Sequence, residues 1–245
     1  MKKTIFSIMA LAMAMTSCTN EVLTDVDGYG TIVLSVNNDE TVTRSAKAVA
    51  DLNGWVVKAN NGSEDISLTT ASTKVKAGKY TVSAKSHASE DAALTDNEGW
   101  GAAYYEGTSG EVTVTAGQPA DAVVNCGTAK NARLKVQFSL ISNFTEYSLT
   151  AERGLVFNSG NAASALAYYA AEEEVEYTLR YKYNDTPKEI TGTITMKGAA
   201  TENIISIASN NNGTISVTVN YDDTFGTGNS ENLEFDAATG DEVKK

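Results

Sequence analysis

Apolar and polar residues alternate with a period of two along most of this chain, the pattern of a strand with one face on a core and the other in water. It is cleanest in "TISVTVNY", where Ile215, Val217, Val219 and Tyr221 alternate with Thr214, Ser216, Thr218 and Asn220. "ARLKVQFSL" repeats it with Leu134, Val136, Phe138 and Leu140, and "EVEYTLRYKY" with Val175, Tyr177, Leu179, Tyr181 and Tyr183. "ITGTITM" does so with Ile190, Ile194 and Met196. In the first half "GTIVLSV", "WVVKA", "KYTVSAKS", "EVTVTAG" and "DAVVNC" read the same way, less regularly. Thr, Val and Tyr are frequent in these runs, and strands favour them.

Turn residues separate the runs at short intervals: "NNG" near 61, "AGK" near 78, "TAGQP" near 117, "NDTP" near 185 and "NNNG" near 212. Many short strands with polar turns predict an all-β chain of antiparallel β-sandwiches. "NAASALAYYAAEEE", residues 161–174, is open between a short helix, which its alanines favour, and a loop leading into a strand. "GTAKNA", residues 127–132, divides an N-terminal sandwich over 30–126 from a C-terminal one over 130–223, each of ordinary domain size. Beyond Asp223 the chain is rich in Gly, Asn and acids, which predicts a flexible acidic tail over 224–245 with "NLEF" as the one segment able to pair.

The N-terminus adds an address. Lys2 and Lys3, the apolar run "IFSIMALAMAM" and small residues before Cys18 follow the order of a secretory signal, over residues 1–17. The run is too short to span a bilayer as a helix. "MTSC" resembles a bacterial lipobox, so Cys18 is the expected lipidation site, followed by a linker over 18–29. The expected location is the outer membrane, held by the lipid on its periplasmic or cell-surface face. Removing residues 1–17 takes away two lysines and no acid, which moves the net charge from −12 to −14. That sign opposes binding to nucleic acid or to anionic lipid through basic patches. Cys126 is the only other cysteine. With Cys18 acylated no disulfide can form within the chain, and Cys126 reads as a small buried hydrophobe.

Chemistry-bearing residues are sparse. His87, the sole histidine, lies in "AKSHASED" near Glu90 and Asp91, without a serine in a nucleophile-elbow context. One histidine and one buried cysteine do not supply a zinc site, and "DVDGYG" lacks the later acids of a calcium loop. Glu172, Glu173 and Glu174, and Asp222 with Asp223, adjoin turns, where solvated charge is the default. No catalytic residue, metal or cofactor is therefore assigned. "GWGAAYYEG" is the best recognition stretch: Trp100, Tyr104 and Tyr105 offer flat amphipathic rings for a sugar or a protein partner, although adjacent strand residues point to opposite faces. Four Asn-X-Ser/Thr motifs, at Asn61, Asn143, Asn184 and Asn212, read as polar turns.

Taken in order, "GYGTIVLSV", "TRSA", "GKYTVSA", "GWGAAYYEG" with "GEVTVTAGQ", and "AKNARLKVQFS" resemble the Bacteroidales lipoproteins grouped as domain of unknown function four-four-nine-three. The resemblance runs from Gly28 to about Tyr221. That family is similar in layout to fimbrillin-like proteins, built from two transthyretin-like β-sandwiches. Their pilin members are cut after an arginine that follows the first strand, and a neighbour's C-terminal strand fills the groove. The resemblance implies a cut after Arg44, leaving Ser45 as the new N-terminus, with Gly30–Val36 as the removed strand and Asn232–Phe235 as the donor. The expected function is non-catalytic surface adhesion or fimbria-like assembly with other envelope subunits. The alternatives are a tethered lipoprotein that binds glycans or a partner, and more distantly a carbohydrate-active enzyme with a cleft joining two acidic clusters.

Overall fold

The structure, a computed structural model, describes residues 28–37, 54–210, 213–222 and 230–243. The predicted alternation becomes strands with one buried face. β1 (Tyr29–Asn37) buries Ile32, Leu34 and Val36, all at 4% exposure or less. It is followed by β2 (Val56–Asn60), β3 (Asp65–Ser67), β4 (Ser72–Lys76), β5 (Gly78–Lys85), β6 (Glu106–Val114) and β7 (Pro119–Asn125). These form two sheets, in the orders β4-β1-β7 and β3-β2-β5-β6. Between the sheets lies a core that includes Ile32, Leu34, Val36, Tyr80, Val82, Val124 and Cys126.

The second half comprises β8 (Ala132–Ser139), β9 (Phe144–Ala151), β10 (Leu155–Asn158), β11 (Ala167–Tyr169), β12 (Glu174–Tyr183) and β13 (Thr186–Thr195). β14 (Glu202–Ser209), β15 (Thr214–Asp222) and β16 (Ser230–Asp236) complete it. The sheets are β11-β8-β14-β15-β16 and β10-β9-β12-β13. Val175, Tyr177, Leu179 and Tyr181 of β12 are all buried in a second core with Leu134, Phe157, Ile205 and Val217. The molecule is thus an all-β chain of sandwiches.

The two sandwiches repeat one plan. Adding seven to each strand number of the first reproduces the pairing of the second, and β15 and β16 then extend one sheet of the second beyond β14. Most ladders are antiparallel, but β1 runs parallel to β7 and its counterpart β8 runs parallel to β14. The counterparts differ in the length of their onward connections. Four residues join β8 to β9, whereas eighteen separate Asn37 from Val56.

Two sequence expectations resolve or change here. Residues 161–174 form turns and then β11, not a helix. Within the stretch expected as a flexible tail, the segment named as able to pair does so: it lies in β16, antiparallel to β15, with Phe235 and Ala237 buried in the second core. A one-turn helix α1 (Glu90–Leu94) was not foreseen; its first turn is capped by Ser89 Oγ, which accepts from Ala92 N–H at 3.1 Å.

Candidate functional site

The residues of interest lie at two places, the slot occupied by β1 and the seam between the sandwiches. β1 is the middle strand of a three-stranded sheet. It pairs with β4 from Tyr29 opposite Lys76 to Val33 opposite Ser72, and Leu34 N–H continues this edge to Ala71 O at 2.8 Å. On the other side it matches β7 from Thr31 to Asn37. Its start is held by the turn between β6 and β7: Gly117 N–H donates to Tyr29 O at 2.7 Å, and Thr31 N–H to Gln118 O at 3.0 Å. Gly30 is required there, because a β-carbon would sit 2.3 Å from Thr115 O, well inside van der Waals contact. Its far end is held by Cys126 N–H, which donates to Asn37 O at 2.6 Å. Removing β1 would leave the facing edges of β4 and β7 without their shared partner. Such an open pair of edges is a template for another strand. Arg44 and Ser45, the expected cleavage pair, lie outside the described residues, as does Cys18.

Cys126 follows β7, and its side chain lies in the core of the first sandwich. It is 1% exposed, its Sγ donates to Ala84 O at 3.7 Å, and burial pushes its thiol up to about 11. The thiolate is the reactive form, so raising the pKa and hiding the sulfur both suppress attack. Cys126 in the folded chain is therefore expected to resist a thiol-specific reagent at neutral pH and to react fully once the first sandwich is unfolded, as read by the absorbance of the released chromophore.

The aromatic stretch does not assemble an exposed platform. Tyr104 is buried at 4% exposure, its hydroxyl donates to Glu106 Oε2 at 2.9 Å, and burial followed by that carboxylate pushes it up to about 12. Trp100 is half-buried and meets Phe157 of the second sandwich edge-on, ring centroids 5.0 Å apart at 80°. Its carbonyl accepts from Tyr168 N–H at 2.8 Å. Tyr105 is half-buried and packs on the first core. The physical reason is that the segment between α1 and β6 is spent on joining the sandwiches. Asn131, 2% exposed, accepts from Tyr104 N–H at 3.0 Å and donates to Ala102 O at 2.8 Å. Arg153 donates from one guanidinium to Leu94 O and Tyr168 O, and lies 4.1 Å above the Tyr169 ring. A cavity of about 100 Å³ remains in the seam, lined among others by Tyr105, Asn131, Arg133 and Tyr168. The sequence reading missed both Asn131 and Arg153. An asparagine in a presumed linker and an arginine beside a glycine carry no periodic signal.

His87 sits beside this seam. Its Nε2 is 3.4 Å from Asp96 Oδ2 and its Nδ1 3.0 Å from Ser86 Oγ. The serine oxygen also accepts from Tyr105 N–H at 2.9 Å, so it ties the end of β5 to the stretch before β6. Asp96 is held below the usual carboxylate range by Asn97 N–H and then by His87. The glutamate cluster is equally occupied: Glu172 Oε1 accepts from Gly198 N–H and Glu173 Oε2 from Ala170 N–H. Among the described residues no group of His, Cys, Asp and Glu is placed to hold a metal ion.

A family model described as "Domain of unknown function (DUF4493)" matches residues 28–237. Among curated proteins none matches the chain. In solved structures the chain is similar to a provisionally assigned cell adhesion protein of Bacteroides ovatus, at 14% identity and a TM-score of 0.40, over 79% of this chain and 96% of that one. It is also similar to a fimbrial assembly protein of Parabacteroides distasonis, at 12% identity and a TM-score of 0.38, over 78% and 94% of the two chains.

Proposed function

This chain belongs to the family described as "Domain of unknown function (DUF4493)", and from that premise we propose that it is a non-catalytic cell-envelope protein of adhesion or fimbria-like assembly whose first strand is exchangeable. The observation that carries the reading is the position of β1. It is the central strand of its sheet, it supplies three core side chains, and it alone of the two counterpart strands is joined onward by a long connection. That connection contains Arg44, seven residues beyond the end of β1. Cleavage after Arg44 would free β1 from the chain and leave Ser45 as the new N-terminus. A strand from a neighbouring subunit then restores the ladders on β4 and β7, the β-addition mode of recognition. In this account Cys18 carries the lipid that brings the precursor to the outer membrane.

The test is the intact mass and N-terminal sequence of the protein taken from its native envelope. The expected result is a fraction beginning at Ser45 within an assembled, high-mass species. A chain found only with an acylated Cys18 would overturn the exchange reading and leave a tethered binding protein in its place.

A further inference from the structure

A cleft of about 530 Å³ opens in the second sandwich, away from β1. Its size falls in the range of ligand pockets, roughly 300–1,000 Å³. It exists because two neighbouring strands stop short. β11 reaches β8 only over Ala132–Leu134, so among the described residues no strand flanks that side of β8 from Lys135 to Ser139. β10 pairs with β9 only as far as Ser148.

A bulge then aims an aromatic ring at the opening. Arg180 of β12 faces Ser148 and Lys182 faces Thr145, so Glu146 and Tyr147 of β9 together oppose Tyr181 alone. Glu146 takes a φ of 48°, a left-handed conformation that non-glycine residues seldom adopt, and its carboxylate is paired with Lys182 Nζ at 2.6 Å. Bulges of this kind re-aim a side chain and terminate pairing. Here Tyr147 meets Phe138, ring centroids 4.9 Å apart and tilted by 46°, and both rings stay half-buried on the cleft wall.

The rest of the wall sets the ligand chemistry. Gln137, Ser139, Ser159 and Ser206 are the neutral polar residues of the wall, and Lys135 is its one charged residue. No acid is present to hold a cation, on a chain whose net charge is −12. A purely apolar ligand would leave the polar wall unpaired, and such groups are costly when desolvated. Rings beside neutral hydrogen-bonding groups suit a molecule with apolar C–H faces and a hydroxyl rim. We propose that this cleft binds a neutral saccharide, one sugar ring lying against Tyr147 and Phe138 and the next reaching round the open edge of β8 to Gln137, which faces the other side of the strand. The inference is independent of the fate of β1.

The experiment titrates the folded chain, bearing Cys18→Ser to prevent dimerisation, with maltohexaose, cellohexaose, xylohexaose and mannohexaose in turn, by calorimetry and by amide NMR shifts. The expected result is binding of at least one of them at or below about 1 mM, with the largest shifts at Gln137, Phe138 and Tyr147. Tyr147→Ala should weaken it about tenfold or more, as loss of a stacking ring does. Gln137→Ala, at an exposed position that does not challenge folding, should weaken it several-fold with an unchanged unfolding midpoint. Failure of all of these sugars to bind, or binding that both variants retain, overturns the proposal. Neither result bears on whether the native chain is cut after Arg44.

Discussion

A chain that begins at Ser45 is expected to lose the folded first sandwich while the second survives. β1 buries Ile32, Leu34 and Val36 almost completely. Burying such side chains contributes about 1.5–3 kcal/mol each, so their loss removes roughly 5–9 kcal/mol by area alone. A whole domain is stable by only about 5–15 kcal/mol. The ladders add to this, because β4 and β7 are each deprived of a partner on the side that faced β1. No other described strand lies between them. The trimmed chain should therefore show one cooperative unfolding transition instead of the full unfolding signal, and it should self-associate with rising concentration in sedimentation velocity. The second sandwich keeps its own core and all of its strands. A peptide spanning Gly28 to Asn37, added to the trimmed chain, should restore the missing signal at one peptide per chain.

The second large effect concerns the seam. Asn131→Leu is expected to lower the unfolding midpoint by on the order of 10 °C and to separate the melting of the two sandwiches. Asn131 is 2% exposed and bridges Tyr104 N–H and Ala102 O. Leucine fills the volume but strands the buried Tyr104 N–H and the half-buried Ala102 O, at about 1–3 kcal/mol for a buried group. In a folded unit of this size each kcal/mol shifts the midpoint by about 2–4 °C. The same backbone stretch carries Trp100 onto Phe157, and Arg153 onto Leu94 O. Loosening it should therefore weaken the coupling as well as the local fold. Differential scanning calorimetry reads both outcomes. A single transition at an unchanged midpoint would mean that Asn131 does not join the sandwiches.

The legible part of this molecule was whatever depends on one strand at a time. In β12, Val175, Tyr177, Leu179 and Tyr181 went to the core as their alternation predicts, and Ile32, Leu34 and Val36 did the same in β1. Alternation cannot tell which strand lies alongside, so the parallel pairing of β1 with β7 was hidden. So was the repeated plan of the two halves, which is a repeat of pairing order rather than of residues. Trp100 read as a ring for recognition rather than as a contact between the sandwiches, because its partner Phe157 lies far along the chain. Tyr104 and Tyr105 were recognisable as facing opposite ways; Tyr104 is the more buried, and Tyr105 packs on the first core. In β16 "NLEF" was recognisable as able to pair, but not that its partner is β15 of the same chain, because Glu231, Glu234 and Asp236 around Phe235 make the stretch read as solvated tail. The cleft beside β8 arises where β11 ends early, a length set by tertiary packing.

The exchangeable strand can be tested most directly through Cys126, whose backbone N–H bonds the last carbonyl of β1 and whose thiol lies in the same core. The measurement is the rate of its modification by a thiol-specific reagent at neutral pH, in a chain starting at Thr19 and in one starting at Ser45, each with Cys126 as its only cysteine. The account predicts protection in the longer chain, rapid modification in the shorter one, and protection regained when the β1 peptide is added. Equal protection in both chains, with the shorter one monomeric, would contradict it.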